Sequence, residues 1–130
     1  MATRHQVRQC IVSLLYARDM GTQTAEFKNE FLEEKKIRNK QKEFTEDLFK
    51  GILANLNMLD EMLNEKLSEH KLDDIGVVER AILRLGAYEI KFTDTDDAVV
   101  INEAIELAKE MGSETAPKFV NGVLDALRAK

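Results

Sequence analysis

Tryptophan is absent from this 130-residue chain, histidine occurs twice and cysteine once. A single cysteine excludes an internal disulfide, and Cys10 falls on the apolar side of its segment, where it reads as a small buried hydrophobe rather than a nucleophile. Neither His5 nor His70 has a glutamate three residues before it, so the Glu-x-x-His pairs of a carboxylate-bridged metal site in a helical bundle are missing. His70 also lacks any partner at ligand spacing and reads as solvent-exposed. There is no Walker loop, GxGxxG, GxSxG or Cys/His cluster. No metal, cofactor or small-molecule substrate is therefore expected, and the chain does not read as an enzyme. No run of about 18 or more uncharged apolar residues occurs, and no basic leader precedes an apolar core. Neither a membrane anchor nor export is expected, and the cytoplasm is the expected compartment.

What is present is 44% apolar and 33% charged residues, enough for one domain with a sizeable core. The net charge of −5 argues against a non-specific nucleic-acid binder, but the charge is unevenly placed. Residues 1–20 carry +2 and the remainder −7. A polyanion would meet the beginning of the chain first.

The stretch Ile75 to Phe92, IGVVERAILRLGAYEIKF, is apolar on nearly all sides and too short to cross a membrane. It is expected to be the buried strut of the fold, capped by Asp73 or Asp74, with Arg80, Arg84 and Lys91 as its one water-facing basic stripe. Glu79 stands among apolar neighbours and has two readings. It is a first-turn acid favoured by the helix dipole, or a contact residue for a partner.

The opening Thr3-Arg4-His5-Gln6 has capping-box spacing and starts a helix to about Met20, stopped by Gly21. Val7, Cys10, Ile11, Leu14 and Leu15 form its core arc, and His5, Arg8, Val12 and Tyr16 share an opposite, exposed strip. A tyrosine beside cations is what single-stranded RNA recognition uses: the ring stacks a base while cations hold phosphates. The alternative is that Tyr16 and Met20 cover a second helix contact.

Thr22 or Thr24 can cap a short helix carrying Phe27 and Phe31. Residues 33–43, EEKKIRNKQKE, read as a solvated connection because acids flank the basic run. One helix is expected from about Gln41 to Leu67, with Phe44 on its apolar half. Residues 98–111 form an amphipathic helix stopped by Gly112, and Thr115 caps a last helix with Pro117 in its first turn. Lys118 in that turn is either a solvated lysine or, with the free amides there, a phosphate seat. Six or seven helices without strands or repeats make an all-α fold of two small bundles, about 1–70 and 71–130, sharing the central helix.

Three segments in this order, VERAILRLGAYEI, VVINEAIELAKEMG and KFVNGVLD, resemble the NusB family of transcription antitermination factors, and the opening RxxxRQCIVSLLYA is similar to that family's first helix. The resemblance implies a protein that binds boxA RNA of nascent ribosomal RNA leader transcripts. It also implies as partner the ribosomal protein NusE, within an antitermination complex on RNA polymerase. By position it implies Arg4, Arg8, Tyr16, Lys118 and Phe119 as RNA-binding residues, with Glu79 near the joint RNA and partner surface; His5 of the exposed strip joins the expected RNA-binding set, and Arg80 and Arg84 join Glu79 as expected partner contacts. Two departures stand out. The opening carries fewer arginines than is common in the family, and Asp96 stands where proline is common. A helical protein-docking module without RNA binding is the competing reading, in which the exposed strip is a docking face.

Overall fold

The computed structural model describes residues 2–22 and 24–128. Among these the chain forms seven α-helices: α1 (Arg4–Asp19), α2 (Ala25–Glu34), α3 (Lys40–Ala54), α4 (Leu56–Lys66), α5 (Val77–Phe92), α6 (Asp97–Met111) and α7 (Ala116–Arg128), with one 3-10 turn at Leu72–Asp74. They fall into two compact units, Met1–Ala54 and Asn55–Lys130. The expected division lay near residue 70, with the central helix shared; the contacts divide the chain at 54/55, and α5 lies wholly in the second unit.

Local chemistry sets most of the helix ends. The Gln6 N–H donates to Thr3 Oγ1 at 3.1 Å and the Thr3 N–H donates to Gln6 Oε1 at 2.7 Å, which completes the capping box of α1. Thr24 caps α2 through the Phe27 N–H, and Asp96 caps α6 through the Ala98 N–H. Asp96 thus supplies a side-chain acceptor for an orphan amide. Gly76, not Asp73 or Asp74, is the N-cap of α5, because the two aspartates are taken up in the 3-10 turn.

The helix expected over Gln41 to Leu67 is two helices. Asn55 leaves the helical region at φ −114° and ψ 17° and becomes the N-cap of α4. Its short amide is a weak helix former, whereas the apolar phase continues unbroken through Leu48, Ile52, Leu59 and Leu63, all buried. Periodicity alone carries no mark of the break.

In the first unit α1 packs on α3. Leu14, Leu15 and Ile11 are essentially inaccessible, as are Leu32 of α2 and Ile52 of α3. Cys10 is buried as expected, and burial pushes its thiol up against the smaller opposing pull of Lys35. Lys28 of α2 meets Glu46 of α3 at 2.9 Å.

In the second unit α5 packs against α4, α6 and α7. Seven consecutive residues, Ala81 to Ala87, are buried, so two turns of this helix have no outward face. The crossing with α7 is close at Gly86, where a methyl group would stand 2.7 Å from Leu124 Cδ1. The water-facing stripe expected on α5 is not there at its centre. Arg84 is 6% exposed, and its Nε and Nη2 donate to the two carboxylate oxygens of Asp60 on α4 at 2.9 and 2.8 Å. The apolar envelope leaves Arg84 no route to water, so the neighbouring helix supplies a fork-matched carboxylate.

Removing one member of such a pair strands a buried charge. Asp60→Ala is expected to cost about 3 kcal/mol in urea unfolding, and adding Arg84→Met to it should recover most of that loss. The Lys28 hydrogen bond holds the Glu46 carboxyl below its ordinary value. A depressed carboxyl contributes stability above its unfolded pKa and loses it as pH falls through the folded one. Lys28→Met should therefore lower stability slightly at neutral pH, leave it unchanged at low pH and so flatten the acid limb.

Candidate nucleic-acid interface

The capping box makes Arg4 the first helical residue of α1, and its guanidinium lies 4.1 Å from the centroid of the Phe44 ring on α3. Phe44, expected in the apolar half of its helix, is 36% exposed and covered on one side by this cation. Tyr16 and Met20 are 42% and 54% exposed at the other end of α1. Between them the expected exposed strip is interrupted: His5 is half-buried, Arg8 is 7% exposed and Val12 is inaccessible. The buried set Val7, Ile11 and Leu14 is flanked by a second buried ridge, Arg8, Val12 and Leu15. Two packed ridges sheathe most of the helix, so a phenol ring and a half-exposed imidazole edge are what that side offers.

In the second unit Glu79 is the third residue of α5, where its charge faces the free amides of the first turn. It also reaches the α6–α7 connection, where Oε2 accepts the Ser113 N–H at 3.0 Å. Two glycines make room for this carboxylate. A Cβ on Gly76 would collide with Oε1, and one on Gly112 would stand 3.1 Å from Oε2. Glu79 lines a shallow groove with His70, Ile75, Thr115 and Phe119. Phe119, half-buried, also lines the adjoining concavity with Glu114, Thr115 and Lys118. Lys118 is exposed in the first turn of α7, whose start is set by the Phe119 N–H donating to the Thr115 carbonyl at 3.3 Å.

The structure thus gathers Glu79, Lys118 and Phe119 at one end of the second unit. It adds His70, which the sequence marked only as solvent-exposed, and the Ser113 amide. A glycine just before a helix with an acid three positions on was the available signal for Gly76 and Glu79. Nothing local marked Ser113, which is 34 residues away along the chain. Arg80 sits near the same end with 15% of its side chain exposed and its Nη1 3.9 Å from Asp73. Arg84 lies behind it, committed to Asp60.

Residues 5–129 match the family model described as the NusB family. The chain belongs to the NusB family. A Campylobacter fetus relative named Transcription antitermination protein NusB is 66% identical over 127 residues, covering 98% of this chain and 97% of that protein. Among solved NusB structures, that of T. maritima superposes with a TM-score of 0.89 at 33% identity, over 99% of this chain and 92% of that one. A second, of antitermination factors NusB and NusE in complex with dsRNA, gives 0.83 at 32% identity, over 96% and 95% of the two chains.

The bond between Glu79 and the α6–α7 connection is open to test by mutation. Glu79→Ala should cost about 1–2 kcal/mol through the lost hydrogen bond to Ser113, measured by chemical denaturation. Glu79→Gln, which keeps an acceptor, should lie within about 0.5 kcal/mol of the parent chain.

Proposed function

We propose that this chain is a non-enzymatic, cytoplasmic transcription antitermination factor. It binds boxA RNA of nascent ribosomal RNA leader transcripts and works with the ribosomal protein NusE in an antitermination complex on RNA polymerase. The observation that carries the reading is family membership over nearly the whole chain, together with a solved relative of 32% identity held in complex with NusE and dsRNA. The residue placement supports it. Tyr16 offers an exposed ring near the end of α1, and Arg4 and a half-buried His5 lie at its start with Arg8 buried between, whereas Lys118 and Phe119 offer a cation and a ring face on the second unit. Glu79 and Arg80 are the partner contacts. Arg84 serves them from behind by fixing α5 to α4 through Asp60.

The same geometry argues for weak RNA binding by the chain alone. Few cations are exposed on α1, and if about three phosphates on a single strand are neutralised, the salt slope is near −2. Affinity then falls about 15-fold between roughly 50 and 200 mM salt. A partner that holds the same RNA makes the second contact effectively intramolecular and raises affinity without new chemistry. The partner complex is thus the working RNA binder.

Fluorescence anisotropy with a short boxA-like RNA and a scrambled control, with and without NusE, tests this. Selective binding that tightens with NusE is expected, and Tyr16→Ala should weaken it severalfold. Because Tyr16 is exposed, that variant should unfold within about 1 kcal/mol of the parent, against about 3 kcal/mol or more for Leu14→Ala. No selective binding in any combination would leave the protein-docking reading.

A further inference from the structure

Two helices of the first unit end in the same hydrogen-bond motif with different residues at its critical position. At the end of α1 the Gly21 N–H donates to Arg18 O and the Thr22 N–H to Ala17 O, with Gly21 at φ +78°. At the end of α2 the Lys36 N–H donates to Glu33 O and the Ile37 N–H to Leu32 O, with Lys36 at φ +60°. Both are Schellman closures, in which glycine is the usual left-handed residue because a Cβ there is costly. Ile37 and Leu32, both inaccessible, provide the apolar contact that accompanies the motif. The second closure is therefore built normally except that a lysine occupies its strained position.

That lysine helps to line a shallow concavity of about 560 Å³ with Arg38, Asn39, Lys40 and Gln41. In sequence the acids flanking 33–43 neutralise the basic run; in space no carboxylate lines this surface. Among the described residues Lys36 and Lys40 have no ion-pair partner. Arg38 pairs with Glu33 at 2.7 Å, but both side chains are more than half exposed, and such a pair is weak in water. Gln41 connects this surface to the start of α1, since its amide holds the Ala2 carbonyl. One turn further along α3, Phe44 carries the Arg4 guanidinium. Cations, amide groups and an Arg-covered ring thus follow one another from the α2–α3 turn to the first residue of α1.

We infer that the α2–α3 turn is a second, sequence-independent phosphate contact, which receives the single-stranded RNA flanking the element bound at α1. This rests on the RNA-binding reading above. Non-specific capture of a flanking strand needs phosphate-binding charge without base-edge readout, which is what this surface offers. A flexible lysine is a point charge suited to phosphate rather than to a planar carboxylate fork.

The test compares the short boxA-like RNA with the same RNA extended at either end by about eight uridines, with NusE present. For the parent chain the tail at one end should tighten binding. K36A/R38A/K40A should lose that gain, bind the short RNA as before, and show a salt slope for the tailed RNA shallower by about 2. Lys36→Gly separates folding from binding: its Tm should rise as the left-handed strain is relieved, while the tail gain shrinks. A tail that adds nothing, or a gain kept in full by these variants while the short RNA still binds, overturns the inference and leaves the function intact. If the parent binds neither RNA, the functional reading fails and this one falls with it. Competition by poly-glutamate equal to that by oligo-uridine would reassign the surface to an acidic protein segment and overturn the RNA assignment.

Discussion

The second unit depends on the burial of α5 around its whole circumference. A helix with two turns that never reach water can exist only if its neighbours cover every side, and α4, α6 and α7 do so. That requirement explains features which otherwise look unrelated. Gly86 has no side chain because α7 approaches to within contact of Leu124. Arg84 must be answered by Asp60, since a guanidinium held at 6% exposure without a counter-charge would be strongly destabilising. Gly76 is small because the Glu79 carboxylate is lodged against it, and Gly112 chiefly because a Cβ there would stand 2.8 Å from Ala116 Cβ.

The covering helices therefore fix the candidate surface. Ser113 is tied to Glu79, Ala116 is buried, and Lys118 and Phe119 follow directly in the first turn of α7. A side chain that reads in sequence as either a dipole acid or a partner contact is a first-turn acid that also staples the next connection. Its structural bond occupies one carboxylate oxygen through a backbone amide, which is compatible with a further contact at the groove it lines.

Much of this was legible in sequence, and the misses share a cause. Caps were readable because a hydroxyl or carboxylate at a helix start satisfies an amide a few residues away; Thr3, Thr24 and Asp96 all do so. Gly21 was readable because a left-handed closure favours glycine. Buried faces of single helices were readable from period. What period could not give was the identity of the opposing surface. Nothing in the sequence marked Asp60 as the partner of Arg84, which therefore looked solvent-facing. Arg8 and Val12 lay opposite a good apolar arc, yet α1 is packed on two ridges, and a helical wheel counts only the stronger one. Asn55 broke a helix whose apolar phase ran on unchanged in the sequence, because only its backbone left the helical region.

The unequal exposure of cations on α1 bears on how such a small acidic domain would recognise RNA, as the proposed function requires. Of its basic residues, Arg8 is buried, Arg18 forms an exposed pair with Asp19 at 3.3 Å, and Arg4 is stacked on Phe44. Little free positive charge is left to attract a polyanion over distance, and the domain's net charge of −5 opposes it. Selectivity in such a system comes from short-range ring stacking and shape, which net charge does not enhance. Affinity must be added elsewhere, by a partner's cations or by a second patch on the same chain. Separating the two keeps non-specific RNA from competing: a surface that attracted every strand strongly would spend its occupancy on the bulk of cellular RNA, whereas weak, distributed contacts become strong only when one RNA satisfies all of them together.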